Sequence, residues 1–220
     1  MTGLASLGAT RAFAADGSAS PIATGVLAQN SLAQRFESVR SSSLPDVDVW
    51  GSGGRRSISE IKGRTILMPL WAEWCAPCMS ELPDFARLQQ KYGNDKFSIV
   101  PILTATQKQF TPELLATILS EMHCGVFEPL IENHLGRTLM NRMARVNGGE
   151  PALPCNLLIA PDGHVVAREI GRPPNTDDPN PAKTYNETLQ RTAIGAIQSR
   201  WGQPDGEQFA QAMANGFLSG

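Results

Sequence analysis

Apolar and polar residues alternate along Leu44-Pro45-Asp46-Val47-Asp48-Val49-Trp50, the two-residue period of a half-buried strand. A Gly-rich turn and a second short element at Ser57 to Ile61 follow, which predicts a β-hairpin and one helical turn. Thr65 to Trp71 replaces the alternation with a nearly continuous apolar run bounded by Lys62-Gly63-Arg64, so it reads as a central strand covered on both faces. From Cys75 the period lengthens. Met79, Leu82, Phe85 and Leu88 recur at the spacing of one helix face, giving a helix to about Tyr92 that Pro83 should kink.

Phe97 to Leu103 predicts a second buried strand, and Thr111-Pro112-Glu113 supplies the N-cap and first positions of a helix reaching about His123. Strand, helix and strand in this order imply right-handed parallel crossovers. Pro129 to Glu132 reads as a short strand and Gly136 to Val146 as a helix. Asn156 to Ala160 joins His164 to Ile170 through the turn Pro161-Asp162-Gly163 as a hairpin. Gly171 to Lys183, rich in Pro, Asn and Asp, is a surface loop, and Tyr185 to Trp201 is helical by periodicity. Gln203-Pro204-Asp205-Gly206 then opens a final short helix carrying Phe209, Met213 and Phe217. The glycosylation-type triplet Asn186-Glu187-Thr188 is too short a signal to use.

Upstream of these elements the texture changes. Residues 3–14 have the moderately hydrophobic Gly/Ala/Ser/Leu character of the back half of an export signal, ending in the small-x-small pattern Ala12-Phe13-Ala14, with the charged front missing. The alternative is a disordered terminus. Residues 15–43 read as a leader whose patch from Val26 to Val39 forms either a short helix or an added edge strand. The division is therefore 1–43 signal remnant and leader, 44–201 folded domain, 202–220 helical extension. At 220 residues, 41% hydrophobic and 18% charged, one well-buried domain is expected. A net charge of -2 with no long basic run excludes an electrostatic nucleic-acid footprint, and no apolar stretch approaches the roughly 20 residues of a membrane span.

The chemistry is concentrated in Trp74-Cys75-Ala76-Pro77-Cys78. A thiol reacts as its thiolate, and a cysteine at a helix N-terminus has that charge stabilised by unpaired backbone N–H groups. Cys75 is the expected nucleophile. Cys78, one turn on, can attack a mixed disulfide on Cys75 and release the partner, which makes it the resolving thiol. The same spacing is half of a zinc site, with His123, Cys124 and Cys155 as further candidates. Neither of those cysteines belongs to a second Cys-x-x-Cys, and Pro77 beside an aromatic residue suits a rigid helix start better than a zinc knuckle. An even cysteine count in an exported chain favours a Cys124–Cys155 bridge. Against it, one ends a helix and the other begins a strand, so separate buried thiols are the expectation.

The strand, the Trp-Cys-x-Pro-Cys motif, the helix with Pro83 and a later Pro before a β-hairpin occur in one order, and in this the chain resembles the thioredoxin superfamily. Leu44-Pro45-Asp46, Leu67 to Trp71, Glu81-Leu82-Pro83, the extra strand and helix between Thr104 and Leu135, and Leu157 to Gly163 are similar to the TlpA/ResA-like exported thiol-disulfide oxidoreductases. Ala23-Thr24-Gly25 points to TlpA in particular. The resemblance implies an α/β thioredoxin-like fold, a central mixed sheet flanked by helices with an N-terminal β-hairpin and a strand-helix insertion. It implies a redox-active Cys75–Cys78 disulfide framed by Trp74, Ala76 and Pro77, and a cis peptide at Leu153-Pro154 beside it, a bond that costs an X-Pro amide only about 0.5–1 kcal/mol. Two positions depart from the pattern. Pro69 stands where thioredoxin has a buried proton-accepting Asp, leaving Glu73, expected to be exposed, and Glu81 as substitutes. Cys155 stands where the family usually has Thr, and a buried thiol behaves by default as a small hydrophobe.

The function implied is a periplasmic reductant of disulfides in other exported proteins: metallochaperones, oxidase subunits or apocytochromes c. It would be a monomer with no cofactor or metal, recharged by a membrane electron-transfer protein and anchored, if at all, through a missing N-terminal segment. A disulfide-donating oxidant would use the same residues and differ in reduction potential. A copper-handling module would need Cys75, Cys78 and a distant histidine, but His123, His134 and His164 show no pairing with the motif.

Overall fold

The computed structural model describes residues 37–132, 138–144, 152–170 and 204–216. The expectations for the signal remnant, most of the leader, His134, the 171–183 loop, the 185–201 helix and Phe217 lie outside these residues.

The central strand is the apolar run. In β4 (Thr65–Trp71) every residue is buried, and its neighbours cover both edges. β8 (Cys155–Ile159) lies antiparallel on one side, and β5 (Phe97–Ile99) and β6 (Ile102–Leu103) lie parallel on the other. Outward from β8 comes β9 (His164–Ile170), then β1 (Glu37–Ser43). Outward from β6 come β7 (Leu130–Glu132) and the hairpin β2 (Asp48–Gly51) and β3 (Gly54–Ser57), closing a mixed nine-stranded sheet. A 3-10 turn at Ile58–Glu60, with Ser57 as its cap, follows the hairpin as the pattern predicts. The whole is the expected thioredoxin-like α/β architecture.

Two boundaries differ from the sequence reading. The first is β1, placed in the leader with an added edge strand as one of two alternatives as far as Val39: it pairs antiparallel with β9, so among the described residues the sheet begins at Glu37. Its sequence, Glu-Ser-Val-Arg-Ser-Ser-Ser, has one apolar residue, the buried Val39, because an edge strand draws its pairing from backbone groups. The second is the single strand expected over Phe97 to Leu103, which is broken into β5 and β6. The register against β4 is the same on both sides of the break, which places Pro101 opposite Pro69. Neither proline has an N–H, so the ladder cannot be continuous there.

Helices cover the sheet. α1 (Ala76–Tyr92) runs through Pro83 and buries Leu82, Phe85, Ala86 and Leu88. α2 (Pro112–Glu121) starts where Thr111 Oγ1 accepts the Leu114 N–H at 3.3 Å. It ends two residues short of His123, which instead turns the chain with φ 60°. The His123 and Cys124 N–H groups donate back to the Ser120 and Leu119 carbonyls at 3.0 and 2.7 Å, satisfying the open helix end. α3 (Thr138–Ala144) lies within the expected helix. α4 (Pro204–Ala214) is the predicted terminal helix. It buries Phe209, Ala210 and Met213, packing on α1 and β5, and Glu207 meets Lys91 at 2.7 Å and the Tyr92 hydroxyl at 3.2 Å.

Candidate active site

Cys75, the expected nucleophile, is placed by the strand-to-helix turn. β4 ends at Trp71, the Cys75 N–H donates to the Ala72 carbonyl at 3.0 Å, and Cys75 takes extended backbone as the N-cap of α1. Its Sγ accepts the Cys78 backbone N–H at 3.4 Å. On reduction, that donor and the other open N–H groups of the first turn face the sulfur that must carry charge. Cys75 and Cys78 are joined as a disulfide, with 4% and 2% of each residue exposed. Ala76 and Pro77 occupy the first two helical positions, where proline loses no hydrogen bond.

Around the disulfide the structure gathers residues from three segments. Cys155 pairs with Leu70, so antiparallel register sets Pro154 level with Trp71 at the active-site end of β4. The Leu153-Pro154 peptide is cis, and both residues are buried. Trp74 is the most exposed member of the motif at 46%, and its indole N–H is tied to the Ala105 carbonyl at 2.8 Å. Glu73, expected to be exposed, is half-buried because its Oε1 accepts the Gln107 N–H at 2.8 Å. Glu81 is buried in α1, three residues beyond Cys78.

Sequence reasoning missed Ala105, Gln107, Thr104 and Glu132. Ala105 is buried with φ 52°, a left-handed conformation that costs an L-residue about 1–2 kcal/mol. Nothing in the composition of this loop marks that geometry. A polar pair also went unread beside Pro69. On the same sheet face, the cross-strand neighbours of Pro69 are Asn156 and then Glu169, and Asn156 Nδ2 donates to Glu169 Oε2 at 3.2 Å. Asn156, the one amide in the otherwise apolar Cys-Asn-Leu-Leu-Ile of β8, was the available signal.

The chain matches the Redoxin family over residues 38–185. It belongs to the Redoxin family. A 58-residue segment, 26% of the chain, is 38% identical to 34% of the thioredoxin-like protein YneN of Bacillus subtilis, so the match spans about a third of that relative. Among solved structures, a thiol:disulfide interchange protein of Chlorobium tepidum is 22% identical over 61% of this chain and 89% of its own, with a TM-score of 0.46. One from Bacteroides sp. is 18% identical over 69% and 88%, with a TM-score of 0.47. This redoxin carries its Cys75–Cys78 disulfide at the start of α1.

The other two cysteines of the redoxin are unbridged and buried. Burial pushes the Cys155 thiol up to about 12, with Arg168 opposing and Glu169 reinforcing the shift, and burial pushes Cys124 up to about 11. Neither forms thiolate near neutral pH. Iodoacetamide should therefore leave the folded, oxidised protein unlabelled, and after unfolding without reductant it should modify two cysteines, read by intact mass. No modification after unfolding would mean a Cys124–Cys155 bridge. Among the described residues, no three His, Cys, Asp or Glu side chains are gathered as a metal site.

Proposed function

We propose that this redoxin is an exported, periplasmic protein-disulfide reductase, recharged by a membrane electron-transfer protein and acting on disulfides in other exported proteins: metallochaperones, oxidase subunits or apocytochromes c. The observation that carries the direction of electron flow is the charge of the motif. Cys75 Sγ receives the Cys78 N–H, but the segment Glu73-Trp74-Cys75-Ala76-Pro77-Cys78 contains no cation, and carboxylates stand at Glu73 and Glu81. A strong oxidant needs its thiolate stabilised so that the reduced form is favoured. Acidic neighbours act the other way, favouring the disulfide and so making the dithiol a better electron donor. Export is supported by the signal-like residues 3–14.

The test is the reduction potential of the Cys75–Cys78 couple, measured by equilibration against thiol redox buffers. The reading expects a value near the roughly -270 mV of reducing dithiols, and a value near the roughly -120 mV of strong oxidants would reverse the direction. Insulin reduction run beside a copper titration separates the enzyme from a metal-binding module.

A further inference from the structure

The loop after β6 is stitched to the segment that leads into the nucleophile. The Thr104 N–H donates to the Trp71 carbonyl at 2.8 Å, the Ala105 carbonyl accepts the Trp74 indole N–H at 2.8 Å, and the Gln107 N–H donates to Glu73 Oε1 at 2.8 Å. Three residues of one loop thus fix three positions just before Cys75. The anchor for this loop comes from the next strand. Glu132, the last residue of β7, is 2% exposed, and its carboxylate accepts the Thr104 hydroxyl at one oxygen and the Leu139 N–H of α3 at the other, the latter at 2.9 Å.

Both partners of this carboxylate are donors, so it holds two elements at once. Thr104 is itself fully buried, and its hydroxyl sits one residue before the left-handed Ala105 whose carbonyl faces the indole. A loop that keeps an unfavourable conformation must be over-determined by its surroundings. The bond to Glu132 is such a restraint.

We infer that Glu132 and Thr104 are positioning residues for thiol-disulfide exchange: by fixing the Ala105 carbonyl they fix the Trp74 indole, whose exposed face forms an apolar platform beside Cys75 for the polypeptide carrying the target disulfide. An aromatic ring offers large contact area at low conformational-entropy cost, provided it is held still. Substrate docking rests on the protein-substrate reading above, whereas the hold on the indole does not.

Thr104→Val removes the hydroxyl while keeping shape, Thr104→Ser keeps it, and both are combined with Trp74→Phe. The Trp74 indole N–H signal in a nitrogen-15 NMR spectrum, assigned by its disappearance in Trp74→Phe, should shift and exchange faster with solvent in Thr104→Val but not in Thr104→Ser. With insulin as substrate, Thr104→Val should raise KM by roughly two- to ten-fold, the worth of one hydrogen bond, with a smaller fall in kcat. The double variant should be no worse than the more impaired single one, because both substitutions act through the same hold on the ring at position 74. An unmoved indole signal in Thr104→Val, equal impairment of Thr104→Ser, or additive losses would each overturn the inference. Should the unaltered protein fail to reduce insulin, the protein-substrate reading fails instead, and the indole signal still decides the positioning claim.

Discussion

Cys78→Ser should accumulate covalent complexes with protein substrates, while Cys75→Ser should accumulate few and lose disulfide reduction by about a thousand-fold or more. The asymmetry follows from the helix start. In Cys78→Ser the backbone N–H of residue 78 still points at Cys75 Sγ, since that donor belongs to the main chain. The Cys75 thiolate therefore keeps its stabilisation and attacks one sulfur of the substrate disulfide. A Cys75–substrate bond forms, the substrate disulfide breaks, and the other substrate sulfur leaves as thiolate. In the unaltered protein the Cys78 thiolate then attacks Cys75 Sγ, which transfers the electron pair to the bound substrate sulfur and closes the Cys75–Cys78 disulfide. Without Cys78 the intermediate persists. Cys75→Ser leaves a thiol inside the first turn of α1 and not at its N-cap, without the main-chain N–H that faces Cys75 Sγ. Non-reducing electrophoresis of each variant after incubation with an oxidised protein substrate reads the result, and equal trapping by both would reverse the assignment of roles.

The elements legible in the sequence are those whose pattern is set by burial. β4 is apolar from Ile66 to Trp71 because both its edges and faces are covered, and α1 shows its helical period because one face lies on the sheet. The disulfide pair, its place at a helix start and the cis Leu153-Pro154 peptide were readable from the motif and its resemblance. What could not be read depends on partners distant in sequence. β1 carries one buried apolar residue and is a strand because β9 offers it an edge. The break between β5 and β6 needs Pro101 and Pro69 to be seen opposite each other, although they lie on different strands. Ala105 gives no compositional hint of its left-handed backbone, and Glu132 at the end of a three-residue strand looks solvated until Thr104 and Leu139 are found on either side of its carboxylate. The site is thus legible in its disulfide and illegible in the groups around it.

Phe209→Ala should lower the unfolding free energy by about 3–5 kcal/mol, the usual cost of emptying a buried aromatic site. Phe209 lies in the segment that sequence alone sets apart as an extension beyond the domain, yet it is 1% exposed. Its helix covers α1 and β5, the elements that carry the disulfide and flank the central strand. Met213, one helical turn on from Phe209, and the adjacent Ala210 are also buried. The Lys91–Glu207 contact is exposed and adds little, so the apolar face carries the attachment. Urea unfolding of the oxidised protein, followed by far-ultraviolet circular dichroism, measures the loss as a lower transition midpoint. The same substitution should leave the reduction potential of Cys75–Cys78 unchanged, because α4 meets the far half of α1 through Lys91 and Tyr92 and not its N-terminus. A midpoint within the error of the unaltered protein would show that α4 is an appendage; a large loss makes it the last layer of the fold on which the active-site helix rests.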